Sequence, residues 1–416
     1  MLKKIIIICV SVFMLSGCSA NSENIDVEKT NEPVQTQGIL STATPEPVFQ
    51  ENDRFVIMCE EFLNLRGEPN SESEILGKAL KGESVKVLGY ENKFAHIEFD
   101  DGRTGYVLAG YLKNENPYPF ECVTLQDKYS YDTMIADANR LIGKYPGKVS
   151  LDVAGKSEQG RDIIVLIIGN ENAEKKIFVQ GAIHAREYMT SMLMMAQAEY
   201  YARNQFDDDF CVYMMPMLNP DGVMISIGGT VTDDITKIYK EDKDRGYVDS
   251  DDYTYVSGWK ANINGVDLNR NFDAMWEKIN TRETISSYNY RGKNPESEAE
   301  TRAVVEYTKS HFFDATISYH ASGSLIYYEF GEASQTNEKS KELAKAISEV
   351  TNYSIHGDDG TSFGGYKDWA IMKMQIPSVT VEIGTRICPL PETEFYTIFE
   401  RNKKVIISVE NWLKNS

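Results

Sequence analysis

What most restricts the fold of this 416-residue chain is the pattern beyond residue 116. Apolar runs of strand length at 163–168, 177–179, 212–217, 315–319 and 379–383 alternate with amphipathic stretches of helical period at 188–203, 296–310, 339–350 and 392–413. Such strand-like apolar runs suit strands buried on both faces, and the helical stretches between them provide the crossovers that parallel strands need. The pattern predicts an α/β unit, a mostly parallel sheet covered on both faces. No internal repeat interrupts it.

The residues before this unit read differently. Lys3 and Lys4 precede an apolar run at 5–15, too short to span a bilayer but suited to a secretory signal. The run ends in Leu15-Ser16-Gly17-Cys18. Small residues followed by Cys look like a lipobox, with residues 1–17 removed and Cys18 diacylated; the alternative is an ordinary signal with a chance Cys. Two acyl chains give stable anchoring, each buried methylene adding about 0.8 kcal/mol. The protein is therefore expected to be secreted and held on the outer face of the cell membrane by a lipid anchor. Residues 18–53 are poor in apolar positions and carry Pro33, Pro45 and Pro47, as expected of a disordered tether.

Residues 54–114 carry short apolar runs separated by Gly67-Glu68-Pro69, Lys81-Gly82-Glu83 and Asp100-Asp101-Gly102, which predicts a small β-barrel. Leu63-Asn64-Leu65-Arg66 followed by Gly105-Tyr106-Val107 resembles the bacterial SH3-like domain. That resemblance implies binding of a cell-wall peptide, with a purely structural spacer as the alternative. His96 is read as a half-exposed strand residue.

A formal net charge of −20 argues against nucleic-acid binding, which needs a basic face. Of six cysteines, Cys9 and Cys18 fall in the signal and lipobox. Cys59, Cys122, Cys211 and Cys388 allow three pairings and have no metal spacing; they are read as mostly buried thiols.

Chemistry concentrates where strands end. In Gly181-Ala182-Ile183-His184-Ala185-Arg186-Glu187 a strand gives way to a helix, and the three-residue spacing can turn imidazole and carboxylate toward one point. Catalytic zinc takes three protein ligands, two His and a carboxylate among the known sets, and keeps a fourth position for water. His320, at the end of the run 315–319, is the best third ligand, because sites in open α/β sheets gather at the carboxyl ends of strands. His311 and His356 are poorer candidates. Glu382 lies inside the apolar run 378–384, where a carboxylate is costly without a partner.

His184-Ala185-Arg186-Glu187, Asn219-Pro220-Asp221-Gly222, Gly265-Val266-Asp267-Leu268-Asn269-Arg270-Asn271, the strand ending at His320, and Val381-Glu382-Ile383-Gly384 occur in this order. With them, residues 118–416 resemble the zinc metallocarboxypeptidases. The resemblance implies that family's single domain, with a mixed, mainly parallel sheet and helices on both faces. It also implies one Zn2+ per chain on His184, Glu187 and His320, with Glu382 as general base. Asn269 and Arg270 would hold a free substrate carboxylate, and Arg186 would lie along the substrate path. The chain departs from the digestive members in two places. Lys260 stands near the oxyanion-stabilising arginine and is expected to take its role. Tyr366 follows the loop that carries their mobile tyrosine, so a substrate-binding role for it is in question.

Gly364-Gly365-Tyr366-Lys367-Asp368-Trp369 is similar to the bacterial subgroup that includes γ-D-glutamyl-meso-diaminopimelate peptidases. Lys367 falls at or beside the position that sets pocket chemistry in the family, where a lysine suits a carboxylate-bearing substrate side chain. The reading that follows is a lipid-anchored zinc peptidase acting on peptidoglycan stem peptides. Its alternatives are a general metallocarboxypeptidase on ordinary peptides and an inactive wall-binding lipoprotein.

Overall fold

The computed structural model describes residues 54–59, 61–99, 101–114, 120–204, 209–248, 252–332, 335–357 and 360–415. The expected signal at 1–17, Cys18 and the tether at 18–53 lie outside the described residues. Among the described residues no helix is long and apolar enough to cross a membrane.

The first sheet is antiparallel throughout. Its strands are β1 (Arg54–Ile57), β2 (Phe62–Arg66), β3 (Ile75–Leu80), β4 (Ser84–Glu91), β5 (Phe94–Phe99), β6 (Thr104–Leu108) and β7 (Leu112–Asn114), in the order β3-β2-β6-β5-β4-β1-β7. Side chains alternate in burial along β4 and β5, so Val85, Val87, Ala95 and Ile97 form one apolar face. Gly105 permits the closest crossing: a Cβ there would stand 2.7 Å from the Leu65 side chain. His96 is half-buried and stacks on Tyr106 at 4.7 Å.

The second sheet contains β8 (Val149–Lys156), β9 (Asp162–Gly169), β10 (Lys175–Gln180), β11 (Phe210–Met215), β12 (Ala315–Ala321), β13 (Leu325–Tyr327), β14 (Ser354–His356) and β15 (Ser378–Ile383). Their order is β14-β13-β15-β12-β10-β11-β9-β8. The pairs β11–β10, β10–β12, β12–β15 and β13–β14 are parallel, whereas β8–β9, β9–β11 and β13–β15 are antiparallel. The mixed, mainly parallel sheet expected from the sequence is present. Its centre is buried on both faces, with β11 and β12 buried at every position. One apolar core packs Leu166, Val179, Ile317 and Val381 against the helix Met189–Arg203; another packs Val165, Phe178 and Met215 against the helix Ala299–His311.

Local chemistry sets the helix limits. Tyr131–Lys144 starts at Ser130, whose side chain accepts from the Thr133 amide. The stretch 392–413, expected as one helix, is a short 3-10 turn followed by helices Phe395–Asn402 and Val405–Lys414. The break falls where the Asn402 carbonyl accepts from Gln197 Nε2 at 2.8 Å. Cys122, Cys211 and Cys388 are buried free thiols, and Cys59 is a half-buried one.

Candidate metal centre and active site

Parallel pairing brings the site together. Because β10 and β12 run side by side in the same direction, the chain leaves both at the same edge of the sheet. His320 sits in β12 and is in register with Glu382 in β15. Beyond β10 the chain forms a short turn, Ala185–Glu187, in which the Glu187 amide donates to the His184 carbonyl at 3.0 Å. Thr190 fixes this turn by donating its hydroxyl to the Glu187 carbonyl and accepting from the Ala182 amide.

His184, Glu187 and His320 are all buried and offer ligand atoms within 4.8 Å of one another. His184 Nδ1 is 2.8 Å from Glu187 Oε1, His320 Nδ1 is 3.1 Å from Glu187 Oε2, and the two Nδ1 atoms are 3.1 Å apart. Burial pushes the Glu187 carboxyl up, but the two imidazoles outweigh it and hold the group below the usual carboxylate range. Two imidazole nitrogens and an ionised carboxylate facing one buried point form a donor set that fits a zinc ion.

Asp267 supports this set. Its Oδ1 is 3.2 Å from His184 Nε2, a buried nitrogen with no aligned hydrogen bond. Its Oδ2 is 3.8 Å from Lys260 Nζ and accepts from the Asn289 amide. Burial would raise the Asp267 carboxyl; Lys260, then His184, hold it well below the usual range. A carboxylate behind a metal-facing histidine fixes the ring and raises its basicity. The sequence reading gave Asp267 no role, although an acid between Val266 and Leu268, two residues before Asn269, was a usable signal.

Glu382 is half-buried, and its carboxylate has no hydrogen-bond partner among the described residues. Burial pushes its pKa up to about 7, with Glu187 adding to the rise and His320, Lys260 and Arg186 opposing it. Near neutrality such a group can both take and give a proton. Arg186 is half-buried, and its Nε is a buried donor without an acceptor.

Asn269 and Arg270 form a second cluster, joined to the first through the Asn269 amide, which donates to Asp267 Oδ1 at 3.2 Å. Asn269 Oδ1 accepts from the Tyr366 amide at 3.1 Å, which leaves its Nδ2 for other acceptors. Arg270 Nη1 donates to Ser362 Oγ at 2.7 Å and to the Phe363 carbonyl. Gly364, at φ +76°, lets this loop close on Arg270: a Cβ there would stand 2.9 Å from the Arg270 carbonyl oxygen.

The Tyr366 side chain is not brought to the site. Its ring lies fully buried against Phe178, Phe272 and Trp369, and its hydroxyl pairs with Thr308 at 3.0 Å. Only its backbone amide reaches Asn269, because the short helix Tyr366–Trp369 turns the ring toward the core. Lys367 is close to buried, and its ammonium donates to the Glu329 carbonyl at 2.6 Å and pairs with Asp368 at 2.7 Å. It is a partly neutralised cation and not a bare one.

Comparison with known proteins bears on the family and the fold. The zinc carboxypeptidase family profile matches residues 134–404, and the bacterial SH3 domain profile matches residues 61–113. Gamma-D-glutamyl-L-diamino acid endopeptidase 1 of Lysinibacillus sphaericus is 30% identical over 290 residues, covering 66% of this chain and 70% of that protein. Carboxypeptidase B of Astacus astacus is 26% identical over 314 residues, covering 69% of this chain and 97% of that protein. Among solved structures, bovine thrombin-activatable fibrinolysis inhibitor in complex with tick carboxypeptidase inhibitor superposes with a TM-score of 0.53 at 21% identity. The match covers 69% of this chain and 98% of that one, a likeness of fold alone. On the matched span and the level of identity, this chain belongs to the zinc carboxypeptidase family of zinc-dependent peptidases, with a bacterial SH3 domain ahead of the catalytic unit.

Proposed function

We propose that this protein is a zinc peptidase of the cell wall that hydrolyses the amide bond between a γ-D-glutamyl residue and a diamino acid with a free carboxylate. The observation that carries the peptidase reading is the convergence of His184, Glu187 and His320 beside a carboxyl group, Glu382, poised near neutrality. The substrate reading rests on the Lysinibacillus sphaericus relative, whose name specifies a γ-D-glutamyl-L-diamino acid bond and an endopeptidase. Lys367 supports it, because an ammonium shared between one carbonyl and one carboxylate still has a third proton for a substrate side-chain carboxylate.

In this reading His184, Glu187 and His320 hold the zinc. Bound zinc would polarise the scissile carbonyl and lower the pKa of its water. Glu382 takes the proton of the attacking water on its carboxylate and returns it to the leaving nitrogen. Lys260 and Arg186 supply positive charge where the carbonyl oxygen becomes anionic. Asn269 Nδ2 and the Arg270 guanidinium bind the free carboxylate of the leaving residue; a guanidinium suits that task because its N–H pairs match a carboxylate.

Cys18 as the lipidation site, a tether over 18–53 and attachment to the outer face of the membrane fit a wall substrate. So does an SH3 domain that binds wall peptide. The second reading, a carboxypeptidase on ordinary peptides, is favoured by the Astacus astacus relative, of which the match covers nearly the whole length. An inactive protein is disfavoured because each ligand, the base and the clamp are present.

The two active readings separate when zinc-loaded protein is offered L-Ala-γ-D-Glu-diaminopimelate and a panel of acyl-dipeptides, with and without chelator. Chelator-sensitive cleavage of the γ-linked peptide is expected. Turnover of the acyl-dipeptides alone would remove the wall substrate from consideration.

A further inference from the structure

This inference rests on the γ-D-glutamyl reading and extends it to the acyl side of the scissile bond. A glutamyl residue joined through its γ-carboxyl keeps its α-carboxylate free. The substrate therefore carries an anion on the acyl side that an ordinary α-linked peptide lacks.

Along the carboxyl edge of the sheet, β15 with Glu382 lies beside β12 with His320, and β12 lies beside β10, after which His184 follows. Asp267 and the Asn269–Arg270 clamp attach at the His184 end of this row. The opposite end is continued by the segment that leaves β15. There the Gly384 carbonyl accepts from the Gly323 amide at 3.1 Å and from Ser324 Oγ at 3.0 Å. The Thr385 amide donates to Glu394 Oε2 at 2.9 Å, which fixes the segment from its other side.

Two side chains then stand outward. Arg386 is 59% exposed and Ile387 is 90% exposed, the most exposed large apolar residue among those described. Arg386 Nε lies 3.6 Å from Glu394 Oε1, so an anchored carboxylate steers the guanidinium, while Nη1 and Nη2 have no partner among the described residues. The next residue, Cys388, is buried in the apolar core that also holds Ile383 of β15, so the segment turns back inward directly after these two side chains.

We propose that Arg386 binds the α-carboxylate of the γ-linked glutamyl residue through Nη1 and Nη2, and that Ile387 covers that residue's carbon chain. Glu394 is then a positioning residue that holds Nε and leaves the fork of the guanidinium to the substrate. With the clamp on the leaving side and Arg386 on the acyl side, the cleft selects a peptide with a carboxylate on each side of the scissile bond.

The test uses zinc-loaded full chain and two substrates, L-Ala-γ-D-Glu-diaminopimelate and the same peptide with the glutamyl α-carboxylate converted to a carboxamide. Charge-assisted hydrogen bonds lead us to expect that the wild type prefers the carboxylate by roughly tenfold or more in kcat/KM. Arg386→Gln should bring the ratio close to one by raising KM for the carboxylate substrate, and Arg386→Lys should restore part of it. No preference in the wild type, or an equal loss on both substrates in Arg386→Gln, overturns the assignment while leaving the γ-glutamyl reading intact. Wild-type turnover of acyl-dipeptides with none of either γ-linked peptide overturns that reading itself, and this inference with it.

Discussion

Asp267 Oδ1 lies 3.2 Å from His184 Nε2, on the side of the imidazole away from Glu187 and His320. The same carboxylate accepts from the Asn269 amide and faces Lys260. One buried anion therefore faces a proposed metal ligand, a cation proposed to stabilise the oxyanion, and the backbone of the proposed clamp. Asp267→Asn keeps the size and removes the charge. It should weaken zinc binding by about 10- to 100-fold, the usual effect of losing such a partner. Competition against a chelator of known affinity reads this directly, and wild-type affinity in the variant would show that the contact does not tune the site.

Glu382 has a different relation to the metal. It is paired in register with His320, yet it is not one of the three converging ligand residues. Glu382→Gln should bind one zinc per chain, as the wild type is expected to, and should lose kcat by roughly 10²- to 10⁴-fold, the range for a positioned proton-transfer group. Metal content and single-turnover rate are measured on the same preparation. Loss of zinc together with activity would make Glu382 a ligand and not the base.

The legible parts of the fold were those where one physical demand dominates. β9, β11, β12 and β15 stood out because strands buried on both faces are rich in apolar side chains, even where Thr316, Ser318, Thr380 and Glu382 interrupt the run. β8 was missed because it lies at the sheet edge and leaves Leu151 and Val153 exposed, so its apolar residues do not mark a buried run. β13 and β14 are three residues each, too short for a period to show. β3 was missed for a similar reason, since it exposes Ile75, Leu76 and Leu80. In the site, His184, Glu187 and His320 were legible from spacing and strand ends. The orientation of Tyr366 was not, because a four-residue helix has no amphipathic pattern to say which side faces inward.

That orientation gives a direct test of the Tyr366 correction. If the hydroxyl serves only the core through Thr308, Tyr366→Phe should cost about 1 kcal/mol of stability, as expected for one buried hydrogen bond, and leave KM as it is. Thermal unfolding and steady-state kinetics report the two quantities separately. A several-fold rise in KM with unaltered unfolding would return Tyr366 to the substrate.

Glu300 gives the pH dependence. It is fully buried, with Oε1 accepting from the Glu158 amide and Oε2 from Asn262 Nδ2. Burial, with Asp221 adding to the effect, pushes its pKa up to about 8 from an ordinary value of 4.5. Between those values the folded chain retains a proton that the unfolded chain releases. The slope of stability with pH is set by protons bound in the unfolded state minus those bound in the folded state, and here it is negative. This contribution is greatest below pH 4.5 and is lost as pH rises toward 8, a change on the order of a few kcal/mol. Glu300→Gln imitates the protonated carboxyl at every pH. Its melting temperature should therefore fall less than that of the wild type between pH 5 and about 8. Parallel melting curves for the two proteins across this range would mean that Glu300 titrates alike in the folded and unfolded chain.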